Sequence, residues 1–262
     1  MSTLKRPDGT KIYYKLVGKD TGRLPLVMIH GWCSRHELWE HQVRYFKKDH
    51  RILLLDRRGH GRSTTSGDGH DALGHAADIA AVTKAAGLKR VVAIGHAGGG
   101  PGTLEFVRAN PRLVRAGIMV DALLYPQPKL SDPKSAFGML LGPMLEQLRG
   151  PKSKSVFRAW YTSFFDPKGD RAAIKAVVAD AAKVPNEIKI IDLEGIVLNT
   201  ATIADKIRQP MLWLTAAVAE QEYIKNHLRN VAFAQVYGAS HFPQFEQPEQ
   251  TNAMIDAFIS RL

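Results

Sequence analysis

The chain has 262 residues, of which 45% are hydrophobic and 23% charged. That composition excludes disorder, collagen and coiled coil and suffices to bury a large core. The single cysteine, Cys33, excludes an intrachain disulfide and a Cys-rich zinc site. The net charge of +11 is concentrated in residues 1–121, which hold 20 Lys and Arg against 11 Asp and Glu. The surplus is scattered in pairs such as Lys5-Arg6 and Arg57-Arg58, so it reads as a solvated basic surface and not as a nucleic-acid interface. No apolar run reaches the roughly 20 residues of a membrane helix, and Met1 to Asp8 carries no apolar signal core. A cytoplasmic protein with neither nucleic-acid nor membrane partners is expected.

In chain order, the turn signal Pro7-Asp8-Gly9-Thr10 precedes an alternating run, Lys11–Leu16, that predicts an edge strand. Continuous apolar runs follow at Leu24–Ile29, Ile52–Leu55, Val91–Ile94, Gly117–Val120 and Met211–Leu214. Such runs are the pattern of parallel strands covered on both faces. A further strand is predicted at Val231–Tyr237. Helix-like segments lie between them, at His36–Lys47, His70–Ala86, Gly100–Ala109, Glu220–Leu228 and Gln247–Leu262. The alternation predicts an α/β fold with a mostly parallel sheet flanked by helices. It breaks over residues 122–204, a helix-rich stretch with the aromatic cluster Phe157, Trp160, Tyr161, Phe164 and Phe165. This segment is expected to be a helical lid over a core of residues 1–121 and 205–262.

Four motifs carry chemistry. The stretch from Val91 to Gly100 runs a buried strand into Gly95-His96-Ala97-Gly98-Gly99 and then a helix. His30-Gly31-Trp32 follows the first buried strand, and Asp56-Arg57-Arg58-Gly59-His60-Gly61-Arg62-Ser63 the next. Gly238-Ala239-Ser240-His241-Phe242-Pro243 lies near the C-terminus. Together and in this order they resemble the α/β-hydrolase family, whose nucleophile elbow reads Gly-x-Ser-x-Gly. The resemblance implies an α/β-hydrolase fold and cofactor-free, metal-free hydrolysis of a small-molecule ester or lactone. It implies His241 as the base and the N–H groups of Trp32 and Gly98 as the oxyanion hole. Gly31, Trp160, Tyr161, Phe164 and Phe242 are then expected around the substrate. His30 reads as a structural residue, His96 as a filler of the elbow, His60 as a loop residue and Cys33 as a small buried thiol.

The nucleophile position holds Ala97, which has no nucleophilic atom. The surrounding motifs are intact, which points to a replaced nucleophile, as in a form made to trap ligand, and to an inactive chain. Serine fits better than aspartate as the residue lost. Asp-type elbows of dehalogenases and epoxide hydrolases usually come with His-Gly-x-Pro, and here Cys33 takes the proline position. The family's acid commonly follows the strand Met211–Leu214, where the loop has Ala219 about where an aspartate would stand. Glu220 is the alternative there. Asp121 ends a buried apolar strand, matching a second placement known in some haloalkane dehalogenases and zearalenone-type lactonases. Because a buried carboxylate needs a partner, Asp121 is the preferred acid and His241 its expected partner. Rival readings are a carbon–carbon bond hydrolase on the same triad and a non-catalytic ligand-binding homologue.

Overall fold

The computed structural model describes residues 2–124, 136–196, 200–217 and 220–262, with side chains described for 141–195 in the second of these segments. Eight strands form one sheet: β1 (Ser2–Lys5), β2 (Lys11–Val17), β3 (Leu26–Ile29), β4 (Ile52–Leu55), β5 (Val91–His96), β6 (Val114–Val120), β7 (Met211–Thr215) and β8 (Val231–Gln235). Their order is β1-β2-β4-β3-β5-β6-β7-β8. β1 and β2 run antiparallel to their neighbours, and all pairs from β4 to β8 are parallel. The run at residues 11–17 is therefore not an edge strand. β1 covers it through the register Ser2↔Tyr14 to Lys5↔Lys11.

The helices are α1 (Glu40–Phe46), α2 (Ala72–Ala85), α3 (Gly100–Ala109), α4 (Ala136–Arg149), α5 (Ser153–Ser163), α6 (Arg171–Ala181), α7 (Asn186–Ile196), α8 (Thr200–Ala204), α9 (Gln221–His227), α10 (Pro243–Glu246) and α11 (Pro248–Ile259). Capping residues fix several starts. Asp71 accepts from the Gly74 N–H at 2.8 Å before α2, and Asp170 from the Ala172 and Ala173 N–H groups before α6, each bond satisfying a donor the first turn leaves open.

The central strands are buried on both faces, and their period-two geometry sends successive residues to opposite sides. Val27, Ile29, Leu53 and Leu55 join α2, α3, α8 and α9 in one apolar cluster. Leu26, Met28, Ile52 and Leu54 join Trp39, Phe46 of α1, and Ile255 and Ile259 of α11 in another. A third cluster belongs to the insertion between β6 and β7. Its members from α4 to α7 include Leu145, Phe157, Tyr161 and Val178, and it packs on Trp32, Cys33, Leu38 and Phe242 of the core. Helix α8 packs on α3 with the main core and not with this group. Among the described residues no helix is long and apolar enough to cross a membrane.

Candidate active site

Among the described residues, three that are not glycine have positive φ: Cys33 at 52°, Ala97 at 45° and Asp121 at 44°. They follow β3, β5 and β6, which are neighbours in the sheet. Each such residue costs about 1–3 kcal/mol and persists where the surroundings over-determine it, as at functional sites. All three thus mark the C-terminal edge of the sheet, where open α/β sheets bind ligands.

Ala97 sits at the turn between β5 and α3. Two glycines make this turn possible. A Cβ on Gly95 would lie 2.2 Å from Thr103 Oγ1, and one on Gly99 2.4 Å from the His30 carbonyl oxygen. The elbow is thus packed tightly against both α3 and the β3 loop, with the Ala97 methyl group at the turn.

His241 lies in the loop between β8 and α10. Its Nδ1 is 2.7 Å from Asp121 Oδ2. The other carboxylate oxygen, Oδ1, accepts from the Ala216 N–H at 2.9 Å, and the Asp121 N–H donates to the Leu214 carbonyl at 2.7 Å. Asp121 is thereby pinned to the end of β7 and aimed at the imidazole. Glu220, the alternative acid, is exposed ahead of α9, and Ala219 lies outside the described residues.

Three further groups hold the His241 loop. His96 is buried, with a pKa pushed down to about 3 by burial and then by the neighbouring His241. Its neutral Nε2–H donates to the His241 carbonyl at 2.8 Å. The His241 N–H donates to the Phe164 carbonyl at 3.0 Å. Glu246 Oε2 accepts from the Ser240 and Phe242 N–H groups, at 2.9 and 3.3 Å. Sequence reasoning gave His96 no such role and missed Glu246. The only signal for Glu246 was its place one helical turn after Phe242.

A cavity of about 110 Å³ opens above Ala97, lined by Trp32, Gly98, Asp121, Trp160, Tyr161, Phe164, His241 and Phe242. His96, Leu123, Leu141 and Leu193 also line it; the three leucines were not singled out from the sequence. Gly31 is placed differently. It packs against the elbow, where an added Cβ would meet His96 Nδ1 at 2.8 Å and the Ala97 Cβ at 3.2 Å, and it is not part of the lining. Phe157 and Phe165 are buried in the insertion's own core.

The remaining motif residues brace the loops. His30 Nδ1 donates to the Gly31 carbonyl, and its Nε2 accepts from the Arg57 N–H, both at 2.9 Å. His60 Nδ1 donates to the Arg58 carbonyl at 2.9 Å, and its Nε2 accepts from the Cys33 N–H at 3.2 Å. Cys33 itself is buried, and burial pushes its thiol pKa well up. Its φ of 52° is out of reach of proline, whose ring holds φ near −65°. The His-Gly-x-Pro sequence therefore cannot be accommodated in this loop conformation.

Among the described residues, two groups have donor atoms close enough for a metal ion: His70, His75 and Asp192, and His36, Glu37 and Asp56. In the first, Arg57 Nη2 already donates to Asp192 Oδ1 at 2.9 Å and His75 Nε2 at 2.8 Å. In the second, Asp56 Oδ1 takes both the ring Nδ1–H and the backbone N–H of His36. Both groups are hydrogen-bonded protein networks in which a cation would have to displace existing donors.

Comparison with known proteins agrees with this architecture. A model of the Alpha/beta hydrolase family matches residues 26–254. The chain is 42% identical over 125 residues to a non-heme chloroperoxidase of Streptomyces lividans, covering 47% of this chain and 45% of that protein. It is 37% identical over 113 residues to a bifunctional esterase/perhydrolase of Acinetobacter calcoaceticus, covering 42% and 40%. The matched stretch thus spans less than half of either curated relative. In fold, it superposes on an esterase from Exiguobacterium antarcticum with a TM-score of 0.87, at 18% identity over 99% of both chains. An enol-lactonase from Burkholderia xenovorans superposes with a TM-score of 0.86, at 16% identity over 99% of this chain and 100% of that one. With the family model matching most of its length and this sheet beneath it, the chain belongs to the α/β-hydrolase family.

Proposed function

We propose that this chain carries the site of a carboxylic ester or lactone hydrolase in which alanine occupies the nucleophile position. The observation that carries this reading is the 2.7 Å contact between Asp121 and His241 on the cavity that Ala97 floors. With a serine at position 97, the hydroxyl attacks the carbonyl carbon while His241 Nε2 takes its proton. Asp121 holds the imidazole by Nδ1–H and stabilises its cationic form. The N–H groups of Trp32 and Gly98 receive the negative charge developing on the carbonyl oxygen. His241 then protonates the leaving alcohol, and water releases the acyl group. Helices α4 to α7 act as the lid, and Trp160, Tyr161 and Phe164 contact an apolar substituent. With Ala97 no acyl intermediate forms, so the chain binds such a substrate without turning it over by this route.

The test is Ala97→Ser assayed on aryl esters and lactones. Hydrolysis by the variant, with none above background for the unaltered chain, supports the reading. A variant inert on the whole panel overturns it.

The intact dyad beside a methyl group favours a second reading for the chain as it stands. His241 can remove a proton from a bound ligand with an acidic O–H or C–H, leaving the anion to the same N–H groups. Its test is a nitrophenol or β-diketone titrated below its solution pKa. An ultraviolet shift to the anion that disappears in His241→Ala supports it, and binding without a shift counts against it.

A further inference from the structure

Asp192 is fully buried on α7, a helix of the insertion, yet its polar contacts reach across to the core. Oδ1 accepts from Arg57 Nη2 at 2.9 Å and lies 3.4 Å from His70 Nδ1 and 3.0 Å from His75 Nε2. Oδ2 faces His60 Nε2 at 3.8 Å. A carboxylate with no solvent exposure is costly unless charge and hydrogen bonds compensate it, so α7 docks in the one place where these groups converge. Gly195, one residue short of the end of α7, allows that approach: a Cβ there would lie 1.9 Å from the His70 carbonyl oxygen.

Two of the groups facing Asp192, Arg57 and His60, brace the loop after β3. Arg57 offers its backbone N–H to His30, which in turn holds the Gly31 carbonyl. His60 accepts the Cys33 N–H. One helical turn before Asp192, the Lys189 carbonyl accepts from the Trp32 indole Nε1–H at 2.9 Å. Helix α7 thus grips Gly31-Trp32-Cys33 twice, once directly and once through buried charge.

We propose that Asp192 is a positioning residue for the oxyanion hole: by anchoring α7 to Arg57 it fixes the backbone of Trp32 beside Ala97. This rests on the reading that the Trp32 N–H receives the oxyanion. Docking of the insertion and readiness of the hole then become one event, because the same helix supplies the cover over the cavity and the anchor of the loop beneath it.

The test compares Asp192→Asn, which keeps the shape and removes the charge, with Val178→Ala. Val178 is a buried residue of α6, and its variant is an insertion-core control. The first readout uses the chain with Ala97 in place: solvent exchange of the four tryptophan indole N–H protons, followed by nitrogen-edited NMR. Asp192→Asn should speed exchange at Trp32 by about tenfold or more and leave Trp213, inside the sheet, unchanged. Val178→Ala, at a comparable loss of Tm, should not. The second readout adds Ala97→Ser. There Asp192→Asn should lower kcat by about 10- to 100-fold, the size expected when a reacting group is misplaced by about an ångström. KM should stay within about threefold, and Val178→Ala should leave kcat near that of the Ala97→Ser parent. Equal effects of the two variants on both readouts would overturn the proposal and leave Asp192 as insertion stability alone. Should Asp192→Asn not fold, His75→Asn on α2, which removes the acceptor that orients the Arg57 guanidinium beside Asp192, carries the same comparison. An inactive Ala97→Ser would sink the hydrolase reading, while the exchange experiment still decides whether Asp192 holds the loop.

Discussion

His241 Nδ1 lies 2.7 Å from Asp121 Oδ2 across 120 residues of sequence, and Asp121 adopts a positive φ to make that contact. The strand β6 stops at Val120, and the left-handed turn swings the carboxylate over the end of β7 toward the imidazole. Aspartate tolerates this backbone better than most residues. Asp121, at the end of β6, is thus the carboxylate that meets His241, and the Ala216 N–H after β7 steadies it.

In an Ala97→Ser background, Asp121→Asn should therefore lower kcat by roughly 10⁴-fold, the loss expected when the imidazole is held in the wrong tautomer. Glu220→Gln should change it less than about threefold. Steady-state kinetics of the two double variants on one aryl ester decide it. A larger loss at Glu220 would move the acid back to the loop after β7.

The parts of the fold that were legible in the sequence share one physical property. Ile52–Leu55, and the apolar cores of β3, β5, β6 and β7, are buried on both faces, so burial alone writes them as unbroken apolar runs. Ser2–Lys5 is largely exposed and is a strand only because it pairs with β2, which no local pattern announces. Asp121 was legible because a carboxylate closing an apolar strand demands a partner. Asp192 was not: within Ile191-Asp192-Leu193-Glu194 it reads as one more solvated helical acid, and its partners lie 117 to 135 residues away. The aromatic spacing in α5 was readable, but the face turned to the cavity depends on how the insertion docks.

Stability should fall steeply between about pH 6.5 and pH 4. Burial pushes the pKa of His60 down to about 4, and those of His75 and His96 down to about 3. An unfolded chain with ordinary histidines near 6.5 binds more protons than the folded one throughout this window, so stability rises with pH across it. At pH 5 each of the three removes about 2 kcal/mol. Asp8 and Asp56, held down at about 2, add their own loss only below about pH 3.8. Thermal melts at pH 7.5 and pH 5 check the sign: Tm should drop at pH 5. An unchanged Tm would mean that these imidazoles are charged in the folded protein.

The Cys33 thiol should be inert toward a disulfide reagent at pH 8 in the native protein and react promptly in denaturant. It is 1% exposed, and burial, with Asp192 nearby, pushes its pKa well up, so the reactive thiolate is scarce. Its modification rate should follow global unfolding. Prompt reaction of one thiol equivalent under native conditions would contradict its placement. Cys33→Pro should lower stability by about 3 kcal/mol or more, since it forces φ away from 52° and removes the N–H donated to His60. Denaturant melts measure that loss.

The aromatics of the insertion should separate into two classes of effect. Trp160 and Phe164 pack against one another with ring planes tilted by 55° and centroids 5.0 Å apart, both line the cavity, and Phe164 stands 5.1 Å from the His241 ring. Phe157 is 1% exposed and packs edge-on against Trp32 at 5.4 Å, behind the cavity wall. In the Ala97→Ser background, Trp160→Ala or Phe164→Ala should shift the ratio of kcat/KM between bulky and short esters by about 1–3 kcal/mol, the worth of apolar pocket contacts. Tm should move little, because both side chains are only half-buried. Phe157→Ala should do the reverse, costing about 3–5 kcal/mol of stability through the cavity it leaves and changing the ester ratio only as far as Trp32 relaxes into the gap. Tyr161 joins the two groups: it lines the cavity, is 1% exposed, and its hydroxyl donates to the Trp32 carbonyl at 3.3 Å. Tyr161→Phe should therefore preserve the ester ratio and lose only the hydrogen bond, about 1 kcal/mol. Kinetics on paired esters beside thermal melts read both quantities for every variant. An ester ratio unchanged in both Trp160→Ala and Phe164→Ala would remove the aromatic wall from substrate selection and leave the insertion as a cover.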